Sequence, residues 1–291
     1  MKDYPKHIKN QIRSMQRDEI TGYYVYKNIA RKMKDSANKA ILEKIAEQEK
    51  NHYDVWTLYL GEISPSYRLK VLFYQFISFL LGYTFALKLM EMGEDKSKKF
   101  YDSIGEYIEE AYAIAIEEDS HEAELIAMLD EERLNYVGSM VLGLNDALVE
   151  LTGTLAGLTF ALADPKIISL SALITGIAAS LSMAASEYLS AKADNLPNAL
   201  KSAIYTGIAY IITVILLVSP YLLIPVSPYV SLVIMLITVI LIIFFFNYYI
   251  SVAKSIPFRK RFWQMIFISF GVAIISFGIG TLIKLVLGIE V

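Results

Sequence analysis

Two regimes of hydrophobic patterning divide this chain. Up to about residue 133, apolar residues recur every three or four positions among charged ones, the period of helices that bury one face. Beyond that point, long stretches carry almost no charge. The periodic part predicts four helices, at 6–34, 36–60, 66–103 and 105–133, with Gly61 and Pro65 separating the second from the third and Gly105 near the third break. Asp35 or Ser36 caps the second. Four helices of similar length on short connections predict an antiparallel bundle. The uncharged part holds five windows long enough to cross about 30 Å of hydrocarbon. They lie near 137–163, 167–191, 202–224, 229–253 and 262–287. The expected fold is all-α, a four-helix domain over 1–135 and a five-helix transmembrane domain over 136–291.

One stretch fits neither regime. Val71 to Leu87, "VLFYQFISFLLGYTFAL", has no charge, yet at about 17 residues it is at the short limit for a span. The alternative is a helix whose apolar residues face the bundle core or the membrane surface. That alternative is preferred here, because a crossing would put Glu49 and Glu118 on opposite sides of the bilayer.

Charge supports the division. Of 57 Lys, Arg, Asp and Glu residues, 43 precede Leu134 and 14 follow it. Lys192 and Lys201 follow the second window, and Lys254, Arg259, Lys260 and Arg261 follow the fourth, whereas "SPYLLIPVSP" after the third has no cation. By the positive-inside rule the N-terminal half and the even loops are cytosolic, and five crossings leave the C-terminus on the other side. The first 30 residues contain no apolar signal core, so the expected location is multi-pass in the cell membrane. The net charge of -3 argues against nucleic acid as a partner. With no cysteine, thiolate zinc sites, iron–sulfur clusters and disulfides are excluded.

The chemistry lies in carboxylates and imidazoles. Two of the three histidines follow a glutamate by three positions, in "EKNH" (Glu49 to His52) and "EDSH" (Glu118 to His121). On a helix such pairs share a face, so each can reach one metal ion. Glu19 on the first helix, and Glu91 or Glu94 on the third, complete a set of one Glu from two helices and Glu-x-x-His from the other two, as in carboxylate-bridged di-iron bundles. Such a donor set suits iron or manganese. From Asp102 to Glu132 there are twelve acids and no Lys or Arg, either a solvated face or a cation-gathering one.

In the apolar half, Asn145, Asp146 and Glu150 fall in the first span, and Met183 and Glu187, a turn apart, in the second. Ionisable groups within spans are costly and mark ion pathways. A thioether beside carboxylates suits a borderline cation such as Fe²⁺. Small residues in "GTLAG" (Gly153 to Gly157) and "GIAAS" allow close helix approach, within or between copies.

Two resemblances follow. Glu19-x-x-Gly22-x-x-x-Tyr26, Glu49-x-x-His52, Glu91-x-x-Glu94 and Glu118-x-x-His121 together resemble the ferritin-like di-iron domain of the rubrerythrin type. That likeness implies a resident di-iron cofactor held by Glu19, Glu49, His52, Glu91, Glu94, Glu118 and His121, with Tyr26 and Tyr101 hydrogen-bonding behind them. The absence of cysteine departs from rubrerythrins that carry a cysteine-ligated iron domain. The stretches "GLNDALVELTGTLAGLTFAL" and "SLSMAASEYLSAKAD" are similar to the two motifs of the vacuolar iron transporter family. That likeness implies a five-span homodimer that moves Fe²⁺, and often Mn²⁺, out of the cytosol against protons, with its membrane aspartate and methionine at Asp146 and Met183. Val149, Glu150 and Leu151 replace the Val-Pro-Phe of many members, and the short connection Lys192 to Lys201 lacks their glutamate-rich unit, which the N-terminal bundle would replace. The expected function is export of Fe²⁺ by proton antiport through Asp146, Glu150, Met183 and Glu187. The rivals are a membrane-anchored di-iron oxidase or peroxidase, and a bundle that is a metal-free interaction module.

Overall fold

The computed structural model describes residues 4–92, 108–127, 135–162, 164–224 and 227–287, and among them the regular elements are all α-helices. The chain divides into two compact units, Met1–Glu131 and Glu132–Val291.

In the first unit α1 is Lys6–Ala30, α2 Ser36–Leu60, α3 Arg68–Leu81, α4 83–92 and α5 Glu109–Ala127. Of the two candidate caps it is Asp35 that starts α2, its carboxylate accepting from the amides of Ala37 at 3.3 Å and Asn38 at 3.2 Å. Gly61 ends α2 in the left-handed conformation (φ 70°), its amide donating to Thr57 O at 2.8 Å. The first helix stops at Ala30, short of 34. The helix expected over 66–103 is broken at Gly82, whose φ of 98° and ψ of 155° lie outside the range open to other residues. Residues 93–107, with the expected break at Gly105, and the 128–134 junction lie outside the described residues.

The antiparallel pair α1 and α2 organises two apolar clusters. Ile8, Ile12 and Met15 pack with Trp56, Leu60, Ile108, Ala111 and Ile114. Val25, Tyr26, Ile29 and Ala30 pack with Leu42, Ile45, Ala46, Leu87, Met90 and Leu125. In α5 the inward stripe is Ala111, Ile114, Glu118, His121 and Leu125, recurring every three or four residues. Between the two clusters the stripes of α1, α2 and α5 carry polar residues instead of apolar ones.

In the second unit α6 is Val137–Ala161, α7 Pro165–Ala193, α8 Ala199–Leu223, α9 Pro228–Lys254 and α10 Phe258–Leu287. Among the described residues α6 to α9 are the four helices long and apolar enough to cross a membrane. The fifth window falls on α10, a 30-residue helix, but many of its later side chains, from residue 276 on, lie outside the described set. The core joins Leu148, Leu151 and Leu155 of α6, Ile168 and Ala172 of α7, Tyr210, Val214 and Leu217 of α8, and Met235, Val239 and Ile243 of α9. Glycines set the closest approaches. A Cβ on Gly143 would stand 2.3 Å from the backbone oxygen of Thr206, and one on Gly176 would stand 2.6 Å from Val214. At Gly157, expected at a close contact, an added Cβ would meet nothing within 4 Å among the described residues.

Candidate metal centre

The helical stripes bring the two Glu-x-x-His pairs together. Glu19, Glu49, His52 and Glu118 each offer one ligand atom, and these atoms all lie within 4.8 Å of one another. His52 Nδ1 is 3.1 Å from Glu118 Oε1 and 3.4 Å from Glu19 Oε2. His121 Nδ1 stands 3.6 Å from both Glu49 Oε1 and Glu118 Oε2, beyond hydrogen-bond length. The two imidazoles stack, ring centroids 5.8 Å apart. Glu19, Glu49, His52 and His121 are each no more than 4% exposed.

Such a set tolerates burial only when its charge is offset. Three buried carboxylates, with the half-exposed Glu117 as a fourth against His52, face two imidazoles, so the acids outnumber the rings. Both ring nitrogens of His121 are buried with no hydrogen-bond partner among the described residues. Surplus negative charge and an unbonded imidazole in an apolar core are what a cation would complete, and carboxylate with imidazole fits iron or manganese. In the metal-free protein, burial disfavours the His52 imidazolium, but the hydrogen bonds and charges of Glu118 and Glu19 outweigh it and push the pKa up to about 11. Burial likewise disfavours the Glu118 carboxylate, and the nearby imidazoles of His121 and His52 hold it below the ordinary carboxylate range.

Neighbours fix these groups. Trp56, one turn beyond His52 on α2, donates its indole N–H to Glu19 Oε1 at 3.1 Å. A Cβ on Gly22 would lie 2.8 Å from Glu49 Oε2, so glycine there lets the carboxylate rest against α1. Buried Tyr26 donates its hydroxyl to Glu91, joining α1 to α4. Glu94 and Tyr101, the other expected members, lie outside the described residues. Two neighbours were not expected from the sequence: Trp56, and Glu117, whose Oε2 is 2.9 Å from His52 Nε2. Trp56 was visible as the residue at i+4 from His52. Glu117 was one acid among twelve in a run and had no distinguishing mark.

The membrane unit arranges its acids differently. Glu150 accepts from the buried Tyr210 hydroxyl of α8 at 2.6 Å. Glu187 of α7 accepts from Ser139 Oγ of α6 at 2.8 Å, and Thr206 of α8 donates to the Ser139 carbonyl at 3.0 Å. Ser139 precedes Asp146 by two helical turns, about 10 Å along the axis. Glu187 therefore meets α6 well away from Asp146 and Glu150. Equal rises counted back along antiparallel α6 and α7 put Met183 about level with Gly143, and Ser180 about level with Asp146. Met183 is half-buried against the apolar core, and the side-chain oxygen of Asn145, beside Asp146, is buried with no hydrogen-bond partner among the described residues. Among the described residues these acids do not gather into a group of three like that of the first unit.

Residues 137–196 match the VIT family model. The VIT segment is α6, α7 and their connections, and it contains Asp146, Glu150, Met183 and Glu187. The resemblance to vacuolar iron transporters is supported over this segment. Four helices long and apolar enough to cross a membrane, two of them within the VIT match, support an integral membrane protein. No curated protein and no solved structure matches the chain.

Proposed function

We propose that this protein exports Fe²⁺, and Mn²⁺ as a second substrate, from the cytosol in exchange for protons, and that its N-terminal unit collects the metal. The observation that carries this reading is the VIT-family segment with Asp146, Glu150, Met183 and Glu187 on two apolar helices. Carboxylates in such surroundings bind a divalent cation when ionised and a proton when the cation leaves, which couples the two flows. In this reading the unit is ferritin-like and cytosolic, α10 is the fifth span, the C-terminus lies outside the cell membrane, and the protein works as a homodimer.

Glu19, Glu49, His52, Glu118 and His121 would hold the resident iron, with Glu91 or Glu94 as a further ligand. When bound, iron there supplies one-electron redox chemistry. Around it, Trp56 orients Glu19, Glu117 orients His52, and the apolar clusters on both sides exclude water.

Fe²⁺ and Mn²⁺ flux into proteoliposomes of full-length protein under an imposed pH gradient tests this function. Metal-dependent proton movement is the expected result, and flux indifferent to the gradient removes the antiport.

A second reading, a membrane-anchored di-iron oxidase, is favoured by the contact of Trp56 with Glu19, which sets an oxidisable ring against a proposed ligand. It predicts O₂-dependent Fe²⁺ oxidation that survives loss of the membrane acids.

A further inference from the structure

The fold splits the uncharged run Val71–Leu87. Its second half enters the core, where Phe85, Ala86 and Leu87 are buried. Its first half does not. No residue of α3 is buried, and Leu69, Leu72, Phe73, Phe76, Phe79 and Leu80 are 49–83% exposed. Their spacing of three, one, three, three and one places them on a single helical face. Val71 and Tyr74, on the other side, pack against the cluster of α1 and α2. A continuous apolar stripe open to water marks an interaction surface.

We propose that α3 lies in the plane of an anionic lipid surface, its apolar stripe sunk to the boundary between headgroups and acyl chains. Charge points to this occupant. From Arg68 to Leu87 there is no acid, and the exposed Arg68 and Lys70 stand in the first turn, where the helix dipole disfavours cations. Lys70 is held by Asp18 at 2.9 Å, whereas lipid phosphates would meet Arg68. Beside the stripe is a cleft of about 880 Å³ whose lining includes Tyr24, Ile63 and Leu72, with Arg68 and the Asp54-paired Lys50 at its edge.

Length and geometry agree. Fourteen residues make a helix of about 21 Å, too short to cross and long enough to lie flat. A second copy would gain less from this face. Its footprint is about 21 Å by 10 Å, well below the roughly 800 Å² per partner of a standard interface. The chain's own spans also keep a bilayer within reach, so lipid is present at high effective concentration. The proposal stands apart from the metal reading and needs only the membrane anchorage.

The cysteine-free chain allows a direct test. Spin labels are placed one at a time on Leu69→Cys, Leu72→Cys, Phe73→Cys, Phe76→Cys and Phe79→Cys, with Glu43→Cys on α2 as the aqueous reference. Full-length protein is reconstituted in vesicles of phosphatidylglycerol and phosphatidylcholine, and collision rates with O₂ and chromium oxalate are compared. Labelled proteins whose thermal melting matches the parent are the ones compared. The stripe labels are expected about 5–10 Å below the phosphates and the reference label in water. Arg68→Gln with Lys70→Gln, or vesicles of phosphatidylcholine alone, are expected to shift the stripe labels towards water. Stripe labels as open to chromium oxalate as the reference overturn the proposal. So does spin–spin broadening that dilution with unlabelled protein removes, which would put a second copy on this face. An immersion depth unchanged by either loss of charge overturns the anionic-lipid assignment.

Discussion

The imidazoles of His52 and His121 stack with centroids 5.8 Å apart, and each turns its Nδ1 towards Glu118, at 3.1 Å from one ring and 3.6 Å from the other. The duplicated Glu-x-x-His is thus one site built by two helices. Glu118 stands between the halves.

Removing Glu118 should therefore cost more than removing a surface acid. In Glu118→Ala the buried His52 charge keeps only Glu19 and the partly exposed Glu117. Because His52 keeps these two carboxylates, metal-free stability should fall by less than the about 3–5 kcal/mol of a buried pair broken outright. Thermal melting of the metal-free protein in detergent reads this loss, and iron content after reconstitution should drop with it.

The pH dependence of the metal-free protein has a defined sign. The folded His52 pKa, about 11, lies above its ordinary value of 6.5. Its contribution is complete below 6.5 and is lost as pH rises through 11. The folded Glu118 value lies below the ordinary 4.5, so its contribution is complete above 4.5 and is lost as pH falls further. Melting temperature should be greatest between these limits and decline on both sides. His52→Gln should flatten the alkaline limb. For the same reason, iron binding at pH 7 should release a proton from His52, seen calorimetrically as a heat that changes with buffer ionisation enthalpy.

Gly22→Ala should separate stability from binding. The added methyl meets the movable end of Glu49 and no backbone, and alanine gains up to about 1 kcal/mol over glycine in a helix. Melting temperature of the metal-free protein should hold or rise while iron affinity falls. Equal loss of both would show that Gly22 serves packing alone.

Gly143 and Gly157 should behave as opposites. Gly143→Ala drives a methyl into the Thr206 carbonyl, and overpacking of this kind costs about 1–3 kcal/mol or more. Gly157→Ala meets nothing among the described residues, so it should leave melting unchanged. A shift in oligomeric state of Gly157→Leu, read by mass in detergent or nanodiscs, would place the contact of the proposed homodimer there.

Much of the first unit was legible because helical period and ligand spacing coincide. Glu49 with His52, and Glu118 with His121, fall on the stripes that Ile45 with Trp56, and Ile114 with Leu125, define as inward. The break at Gly82 was not legible, since a glycine inside an apolar run reads equally as a packed helix position until its φ of 98° is known. In the membrane unit the residues were legible and their partners were not. Tyr210 and Ser139 bear no spacing relation to Glu150 and Glu187. Their pairing depends on the approach of α6, α7 and α8, which glycines such as Gly143 and Gly176 permit.

The central claim is that metal crosses the membrane on residues of α6 and α7. Its most direct test is Fe²⁺ flux in proteoliposomes by the Asp146→Ala, Met183→Ala double variant, with iron bound by the N-terminal unit measured in the same sample. Passage along these helices predicts flux reduced to the level of empty vesicles while bound iron stays at the parent value. Undiminished flux would contradict it.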